Sequence, residues 1–219
     1  MRILLLLAVL AGAAILGVAH LPPAWSPFAP LDLRETPNML TGWKLARAQA
    51  DPARCLAALA TLGPVTTRPA VAARDGCGIT TPVVPDGLAP AGAVADCPLA
   101  LAIAGWRRHG AEPAARAILG GDLARLEHVG IYACRDVRGV TGRRSRHATA
   151  RALDVRAFRL ADGRRVPVTG WDGGGAAAHF LRAARDSACD WFGAVLGPEH
   201  DAAHRDHFHL ESGFWRRCR

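Results

Sequence analysis

The sequence lacks several features that mark common protein classes. None of its six cysteines forms a Cys-x-x-Cys pair, which argues against a zinc finger or a redox motif. It has a single lysine, Lys44, among 27 basic residues, and no stripe of basic residues alternates with aromatics. Nucleic-acid binding is therefore not expected, and the net charge of +8 instead suits attraction to anionic cell-wall polymer or phospholipid head groups. We find no internal repeat.

Charged and strongly polar side chains are also absent from Ile3 to Ala19, directly after Met1-Arg2. Such a run is typical of a signal peptide or a short N-terminal membrane anchor. It is at the short limit for crossing a hydrocarbon core of about 30 Å. We expect an exported protein, periplasmic and tethered to the inner membrane through residues 1–19, or secreted if this segment is cleaved.

The even number of cysteines agrees with export, because disulfides persist in oxidising compartments. Six cysteines allow 15 connectivities, and the sequence alone does not choose among them. We expect neighbours along the chain to pair: Cys55 with Cys77, Cys97 with Cys134, and Cys189 with Cys218.

The length and the 50% hydrophobic content suit one well-buried domain. Four prolines between His20 and Leu33 favour an extended path, so residues 20–40 are predicted to be a tether and residues 41–219 the domain. Asp51-Pro52 is a typical helix start and Gly63-Pro64 a typical stop. Three helices are predicted early in the domain and a fourth later: 41–50, 51–62, 98–109 and 176–192. Short strands and loops are expected over 65–95.

Strand-like patterns dominate the second half of the domain. Ala152 to Leu160 mixes β-branched and aromatic residues with polar ones at roughly period two. Asp162-Gly163 is a hairpin signal that would let residues 165–169 pair back on this strand. Further strands are predicted over 126–134 and 207–211, with a turn-rich basic stretch over 138–146. The expected fold is α+β, with a small antiparallel sheet flanked by helices and stabilised by disulfides.

Two histidine clusters carry the candidate chemistry. The first contains His147 and Asp154, and the second contains His207 and His209. Residues two apart on a strand share a face, so both rings of the second cluster can point at one site. Catalytic zinc typically takes three N or O ligands, and His147, Asp154 and one of the paired histidines would supply them. Copper and nickel are competing metals.

A second ligand scheme uses the pair His200 and His204, spaced i, i+4. It superficially resembles the helical His-Glu-x-x-His motif of metalloproteases. Its context is less suitable for a helix, because Gly197-Pro198 precedes it and a strand-like segment follows it.

Motifs in both clusters resemble those of zinc D-alanyl-D-alanine peptidases, which share a fold with lysostaphin-type peptidases and hedgehog domains. Ser145-x-His147-x-x-Ala150-x-Ala152-x-Asp154 is similar to their first motif, and Asp206-His207-Phe208-His209 to their second. Two positions depart from the pattern: Ala150 stands where glycine is usual, and Asp206 where glutamate is usual.

The resemblance implies a role for each motif residue. His147, Asp154 and His209 would bind Zn²⁺, and Asp206 would accept the proton from the attacking water. His207 would donate a hydrogen bond to the developing oxyanion or orient the water. Arg135 resembles in position an arginine that holds a substrate carboxylate, and Ser145 would bind substrate or turn the loop.

A closer resemblance, over most of the chain after the tether, is to the bacterial extensin-like C-terminal domain family. It is carried by short segments in the same order: Cys77-Gly78-Ile79, Cys97-Pro98-Leu99, Tyr132-x-Cys134-Arg135, Ala152-Leu153-Asp154, Leu160-Ala161-Asp162-Gly163, Val195-Leu196-Gly197-Pro198 and His204 to His209. Together the resemblances imply a zinc-dependent peptidase or amidase acting on peptidoglycan or other cell-wall peptide. The alternative is a non-catalytic, zinc-stabilised domain that binds the wall. The oligomeric state is not predicted.

Overall fold

The computed structural model describes residue 17, residues 20–213 and residues 217–218. The predicted signal peptide or anchor over residues 1–19 therefore lies, except for Gly17, outside the described residues. Within the described ranges, no helix combines the length and the apolarity needed to cross a bilayer.

Five α-helical stretches are described, and four of them correspond to the four predicted helices. They are α1 (Thr41–Gln49), α2 (Pro52–Ala60), α3 (Cys97–Trp106), α4 (Glu112–Ala114) and α5 (Gly175–Ala188). The Asp51 side chain accepts a hydrogen bond from the Arg54 N–H at 2.9 Å, so it caps α2 as the Asp51-Pro52 signal predicts. Wider, π-type turns over Arg107–Ala111 and Ala115–Leu119 continue the path of α3 beyond the predicted end.

The main sheet has seven described strands in the order β13-β11-β12-β9-β6-β4, with β10 also paired to β9. They are β4 (Leu88–Ala89), β6 (Leu123–Gly130), β9 (Ala152–Leu160), β10 (Arg165–Pro167), β11 (Ala194–Leu196), β12 (Phe208–Glu211) and β13 (Arg217–Cys218). The pairs β4–β6 and β11–β13 are parallel, and the others are antiparallel. The fold is thus α+β, as predicted, with β9 at its centre. The sheet is mixed and not antiparallel throughout as predicted, because β4 and β13 run parallel to their neighbours.

Three two-stranded sheets accompany the main one. They pair β1 (Val71–Arg74) with β2 (Cys77–Ile79), β3 (Pro82–Val83) with β5 (Ala95–Asp96), and β7 (Asp136–Val137) with β8 (Val140–Arg144). Strand β8 lies in the segment 138–146, which was predicted to be turn-rich. The strand predicted over 126–134 instead ends at Gly130, where β6 stops following β9.

The core packs α3 and α5 against the sheet through aromatic rings. Phe158 on β9 contacts Trp106 on α3, Phe180 on α5 and Phe208 on β12, with ring centroids 6.0, 4.9 and 6.0 Å away. All four side chains are almost fully buried. Each buried aromatic of this size stabilises the fold by about 2–3 kcal/mol, which fixes β9 and β12 side by side.

Part of the segment predicted to be a tether is packed into this core. Leu31 and Leu33 are buried, and the Leu33 N–H donates to the Thr61 hydroxyl at 3.1 Å. The imidazole Nε2 of His109 lies 2.8 Å from the Leu33 carbonyl oxygen. The packed body therefore includes residues that precede position 41.

Three disulfides connect the described cysteines, and two of the three predicted pairs are wrong. The bridges are Cys55–Cys97, Cys77–Cys134 and Cys189–Cys218, of which only the last was predicted. Neighbours in sequence are not neighbours in space here. The packing of α2 against α3 brings Cys55 to Cys97, and β2 packs beside the 3-10 helix that carries His147, close to Cys134.

Candidate metal centre

His147 is held in a tight turn between β8 and β9. It lies in a 3-10 helix, Arg146–Thr149, and the hydroxyl of Ser145 caps this helix by accepting from the His147 N–H at 3.3 Å. The His147 carbonyl accepts from the Ala133 N–H, which fixes the turn against the chain that follows β6. Ser145 is itself buried, so its observed contact serves to shape the loop.

Ala150 ends this turn in a left-handed backbone conformation, with φ of 51°. Glycine adopts this conformation without the steric cost of a Cβ atom, a cost that alanine bears. The Ala150 side chain is fully buried, and its N–H donates to the His147 carbonyl. An alanine thus occupies a position whose backbone conformation favours glycine.

The sheet brings Asp154 and His209 together. They are direct partners in the antiparallel pairing of β9 with β12. His209 Nδ1 lies 2.7 Å from Asp154 Oδ1, and His147 Nε2 lies 3.2 Å from Asp154 Oδ2. These three side chains, two histidines and a carboxylate, each offer a ligand atom within 4.8 Å of the others. The three ligands predicted from the sequence therefore converge.

The other ring nitrogen of each histidine contacts an acceptor outside the set. His147 Nδ1 donates to the Ile131 carbonyl at 2.9 Å, so in the neutral imidazole Nε2 is the nitrogen with the lone pair. That Nε2 is buried, and it has no hydrogen-bond partner within the part of the chain that the structure describes. His209 Nε2 lies 2.9 Å from Glu211 Oε1. Acceptors of this kind orient metal-binding histidines in proteins.

The electrostatics of the three groups are strongly coupled. Burial alone would raise the pKa of Asp154, but its close contacts with the His147 and His209 rings lower it well below its usual range. Burial likewise opposes the charged form of His209, but Asp154 and Glu211 outweigh it and raise its pKa to about 9. The carboxylates therefore favour a positive charge at this point of the sheet.

The residues fit a zinc ion. Two ligand atoms bound tetrahedrally at about 2.1 Å lie about 3.4 Å apart, close to the 3.2 Å between His147 Nε2 and Asp154 Oδ2. A cation would also provide the partner that the buried His147 Nε2 otherwise lacks. Imidazole and carboxylate ligands with two oriented histidines match a three-ligand site with a position left open.

His207 lies beside these ligands, whereas Asp206 faces the solvent. His207 Nε2 is 3.8 Å from Asp154 Oδ1, and His207 Nδ1 is 2.9 Å from Asp206 Oδ1. The Asp206 side chain is 72% exposed, and its hydrogen bond with His207 lowers its pKa. Of the two predicted catalytic residues, His207 is therefore the one that contacts the ligand set, and Asp206 reaches that set only through His207.

The remaining predicted residues lie at the margin of the centre. Arg135 is exposed, and its Nη1 donates to the Asp136 carbonyl at 3.3 Å, while its own carbonyl accepts from the Ser145 N–H. His200 and His204 form a separate group with Asp201.

Sequence reasoning missed Glu211 and the Ile131 carbonyl. Glu211 was identifiable, because it follows His209 by two positions on a strand and so shares its face. No sequence signal marks Ile131, whose role depends on a backbone atom.

Comparison with known proteins gives one match. No curated protein and no solved structure matches the chain. A family model described as extensin-like protein C-terminus matches residues 53–219, which include all of the residues of the candidate centre. The chain therefore belongs to the extensin-like protein C-terminus family.

Proposed function

We propose that the chain is a zinc-dependent peptidase or amidase that acts on peptides of the cell wall. The observation that carries the proposal is the convergence of His147, Asp154 and His209, with one ring nitrogen of each histidine already held by an acceptor. Zinc in such a set of ligands supplies a Lewis acid that polarises a carbonyl and acidifies water.

Within this proposal, His207 and Asp206 form the proton-handling pair. The carboxylate of Asp206 accepts the Nδ1 proton of His207, which fixes the ring so that Nε2 faces the ligand set. His207 Nε2 then holds or accepts the proton that moves during hydrolysis, and Asp206 acts as a positioning residue. The peptidase motif assigns the base to the acidic residue itself. The exposure of Asp206 favours the imidazole for that task.

Arg135 is the proposed contact for a substrate carboxylate. Its guanidinium is exposed, and its backbone is bound to Ser145, next to the turn that carries His147. The planar fork of arginine pairs with carboxylates through two parallel hydrogen bonds. Ser145 is assigned the structural role of capping this turn.

We assign the fold to the hedgehog and D,D-peptidase type on two grounds. The histidine and aspartate of the first motif lie on a turn and on the central strand, and the histidine of the second motif lies on the neighbouring antiparallel strand. We further propose that the protein lies outside the cytosol, in the periplasm at the inner membrane, because residues 3–19 carry no charged or strongly polar side chain. The three disulfides agree with an oxidising compartment.

Incubation with purified muropeptides that end in D-Ala-D-Ala tests this proposal. The zinc-loaded wild type should release product, His207→Gln should lower kcat at least about 100-fold, and Asp206→Ala should lower it about 10-fold. Asp172→Asn, which changes an exposed carboxylate elsewhere, is the matched control and should behave as the wild type. Absence of product from the wild type across a range of wall fragments would contradict the peptidase activity.

A second function is favoured by one observation. Asp206 is directed at His207 and solvent instead of at the ligand set, which is the arrangement expected if the metal only stabilises a wall-binding domain. Cosedimentation with insoluble peptidoglycan separates the two functions. Binding that survives His207→Gln but is lost on chelation, together with no product from the wild type, would establish the binding domain.

A further inference from the structure

A second group of metal-ligating side chains lies beside the first. His200, Asp201 and His204 occupy the loop between β11 and β12, around the 3-10 helix Ala202–His204. Each offers a ligand atom within 4.8 Å of the others. None of the three is needed for the ligand set formed by His147, Asp154 and His209.

The two oxygens of Asp201 are engaged differently. Oδ1 accepts from the backbone N–H groups of Ala203 and His204 at 2.8 and 3.2 Å, and it lies 2.7 Å from His204 Nδ1. Oδ2 lies 3.6 Å from His200 Nε2, which is too long for a hydrogen bond. Two ligand atoms that share a tetrahedral ion lie about 3.4 Å apart, so this gap fits a bridging cation.

Exposure and ring packing distinguish this group from the inner one. The His200 and Asp201 side chains are 27% and 48% exposed, so water can complete the coordination. The His204 ring lies 5.4 Å from that of His200, 5.3 Å from that of His207 and 5.8 Å from that of His209. Four imidazoles gathered at one surface are the ligands that zinc, copper and nickel favour.

We propose that His200, Asp201 and His204 form a second binding site for a divalent transition metal, with zinc as the reference ion. The proposal does not rest on the hydrolytic activity proposed above. A cation bound there joins His200, Asp201 and His204 within the loop between β11 and β12, and so orders the following segment that carries Asp206 and His207. The affinity of this second site is about 10–100-fold below that of the inner site, because no described residue gives His200 an orienting acceptor like those of His147 and His209.

A zinc titration of the full chain tests this inference. The chain is first stripped of metal with a chelator, and bound zinc is then measured by equilibrium dialysis and elemental analysis. The wild type should bind two equivalents, and His200→Gln and Asp201→Ser should each remove only the weaker one. Serine keeps the capping oxygen for the 3-10 helix but lacks a carboxylate, so the loop retains its shape. His179→Gln, at an exposed histidine on α5, is the matched control and should keep both equivalents.

Two results would overturn the second site. One is a wild type whose weaker equivalent is missing at zinc concentrations 1,000-fold above the inner dissociation constant. The other is a weaker equivalent that persists unchanged in both His200→Gln and Asp201→Ser. In either case Asp201 serves only as the helix cap. If the wild type binds only the weaker zinc equivalent, and both substitutions remove it, the result would refute the inner site and support the outer one.

Discussion

His147 Nε2 lies 3.2 Å from Asp154 Oδ2 in the interior, yet among the described residues this buried nitrogen has no hydrogen-bond partner. Its Nδ1 proton is already donated to the Ile131 carbonyl, so in the neutral imidazole the lone pair of Nε2 faces a carboxylate. Two acceptors held together in this way are costly without a shared cation. The arrangement therefore has a physical reason only if a metal ion or a proton lies between them.

The metal-free protein should lose stability as the pH rises from 6.5 to 9. The pKa of His209 is raised to about 9, so its contribution is fully present below the unfolded value of about 6.5 and is lost as the pH passes through 9. The expected loss is on the order of 3 kcal/mol. Urea unfolding of chelated protein at both pH values measures it. His209→Gln should abolish most of this dependence, and an equal slope in wild type and variant would contradict the assignment.

The affinity for zinc should rise with pH, whereas the stability of the metal-free protein should fall. Zinc displaces the proton from His209, so its apparent affinity should increase between pH 6.5 and 9. Competition with a chelator of known pH dependence measures this affinity. A zinc affinity that is constant across this range would argue that His209 is not a ligand.

Arg151 should be important for the stability of the turn that carries His147. Its Nε lies 2.8 Å from Oδ2 of Asp96, a carboxylate that is almost completely buried. Arg151→Met leaves this buried charge without its partner and should cost about 3–5 kcal/mol in the free energy of unfolding. Arg34→Met, which breaks a solvent-exposed pair with Asp32, should change the free energy of unfolding far less, because exposed ion pairs contribute little to stability. Similar losses in the two variants would contradict the buried pairing.

The effect of a substitution at Ala150 on stability should depend on how well the new residue tolerates the left-handed backbone conformation. Valine, with a branched Cβ, is poorly tolerated at a φ of 51°, so Ala150→Val should cost at least about 2 kcal/mol and weaken zinc binding. In Ala150→Gly, relief of about 1 kcal/mol of strain offsets the lost burial of one methyl group, about 0.8 kcal/mol. Its stability should thus stay within about 1 kcal/mol of the wild type. A valine variant as stable as the glycine variant would disprove the left-handed turn.

The disulfide Cys77–Cys134 should support the metal centre. It closes a separation of 57 residues, which corresponds to about 4 kcal/mol in the chain-entropy model. Cys134 follows Ala133, whose N–H binds the His147 carbonyl, so replacing both cysteines with serine should also lower zinc affinity. The matched control replaces Cys189 and Cys218, separated by 29 residues, and should lower stability with little effect on zinc. Equal effects of the two double variants on zinc affinity would contradict this link.

The sequence predicted which side chains lie close together better than it predicted the disulfide connections around them. Asp154 and His209 were predictable because both lie on strands with a period-two pattern, and antiparallel pairing of two such strands aligns their inward faces. The position of His147 depends on the left-handed Ala150 and on a carbonyl beyond β6, which residue types do not encode. The partners of Cys55 and Cys77 depend on how α2 and β2 pack, so spacing along the chain predicted the wrong bridges.

The orientation of Asp206 was also beyond the sequence. A motif fixes the order of side chains but not which neighbour each one contacts, and Asp206 turns to the adjacent His207. Its role as a base was carried by resemblance alone. Because the two side chains are hydrogen-bonded, Asp206 and His207 should be tested together for a role in proton transfer.

The most direct test of the metal centre is the affinity of the chelator-stripped chain for its first, tightly bound zinc ion. Competition with a chromophoric chelator measures this affinity. The wild type should bind this ion, and His147→Gln and Asp154→Asn should each weaken the binding about 100-fold or more, since losing a ligand costs more than losing an orienting acceptor. His179→Gln should leave it unchanged. Tight binding that persists in both ligand variants, or a wild type that binds no zinc, would contradict the centre formed by His147, Asp154 and His209.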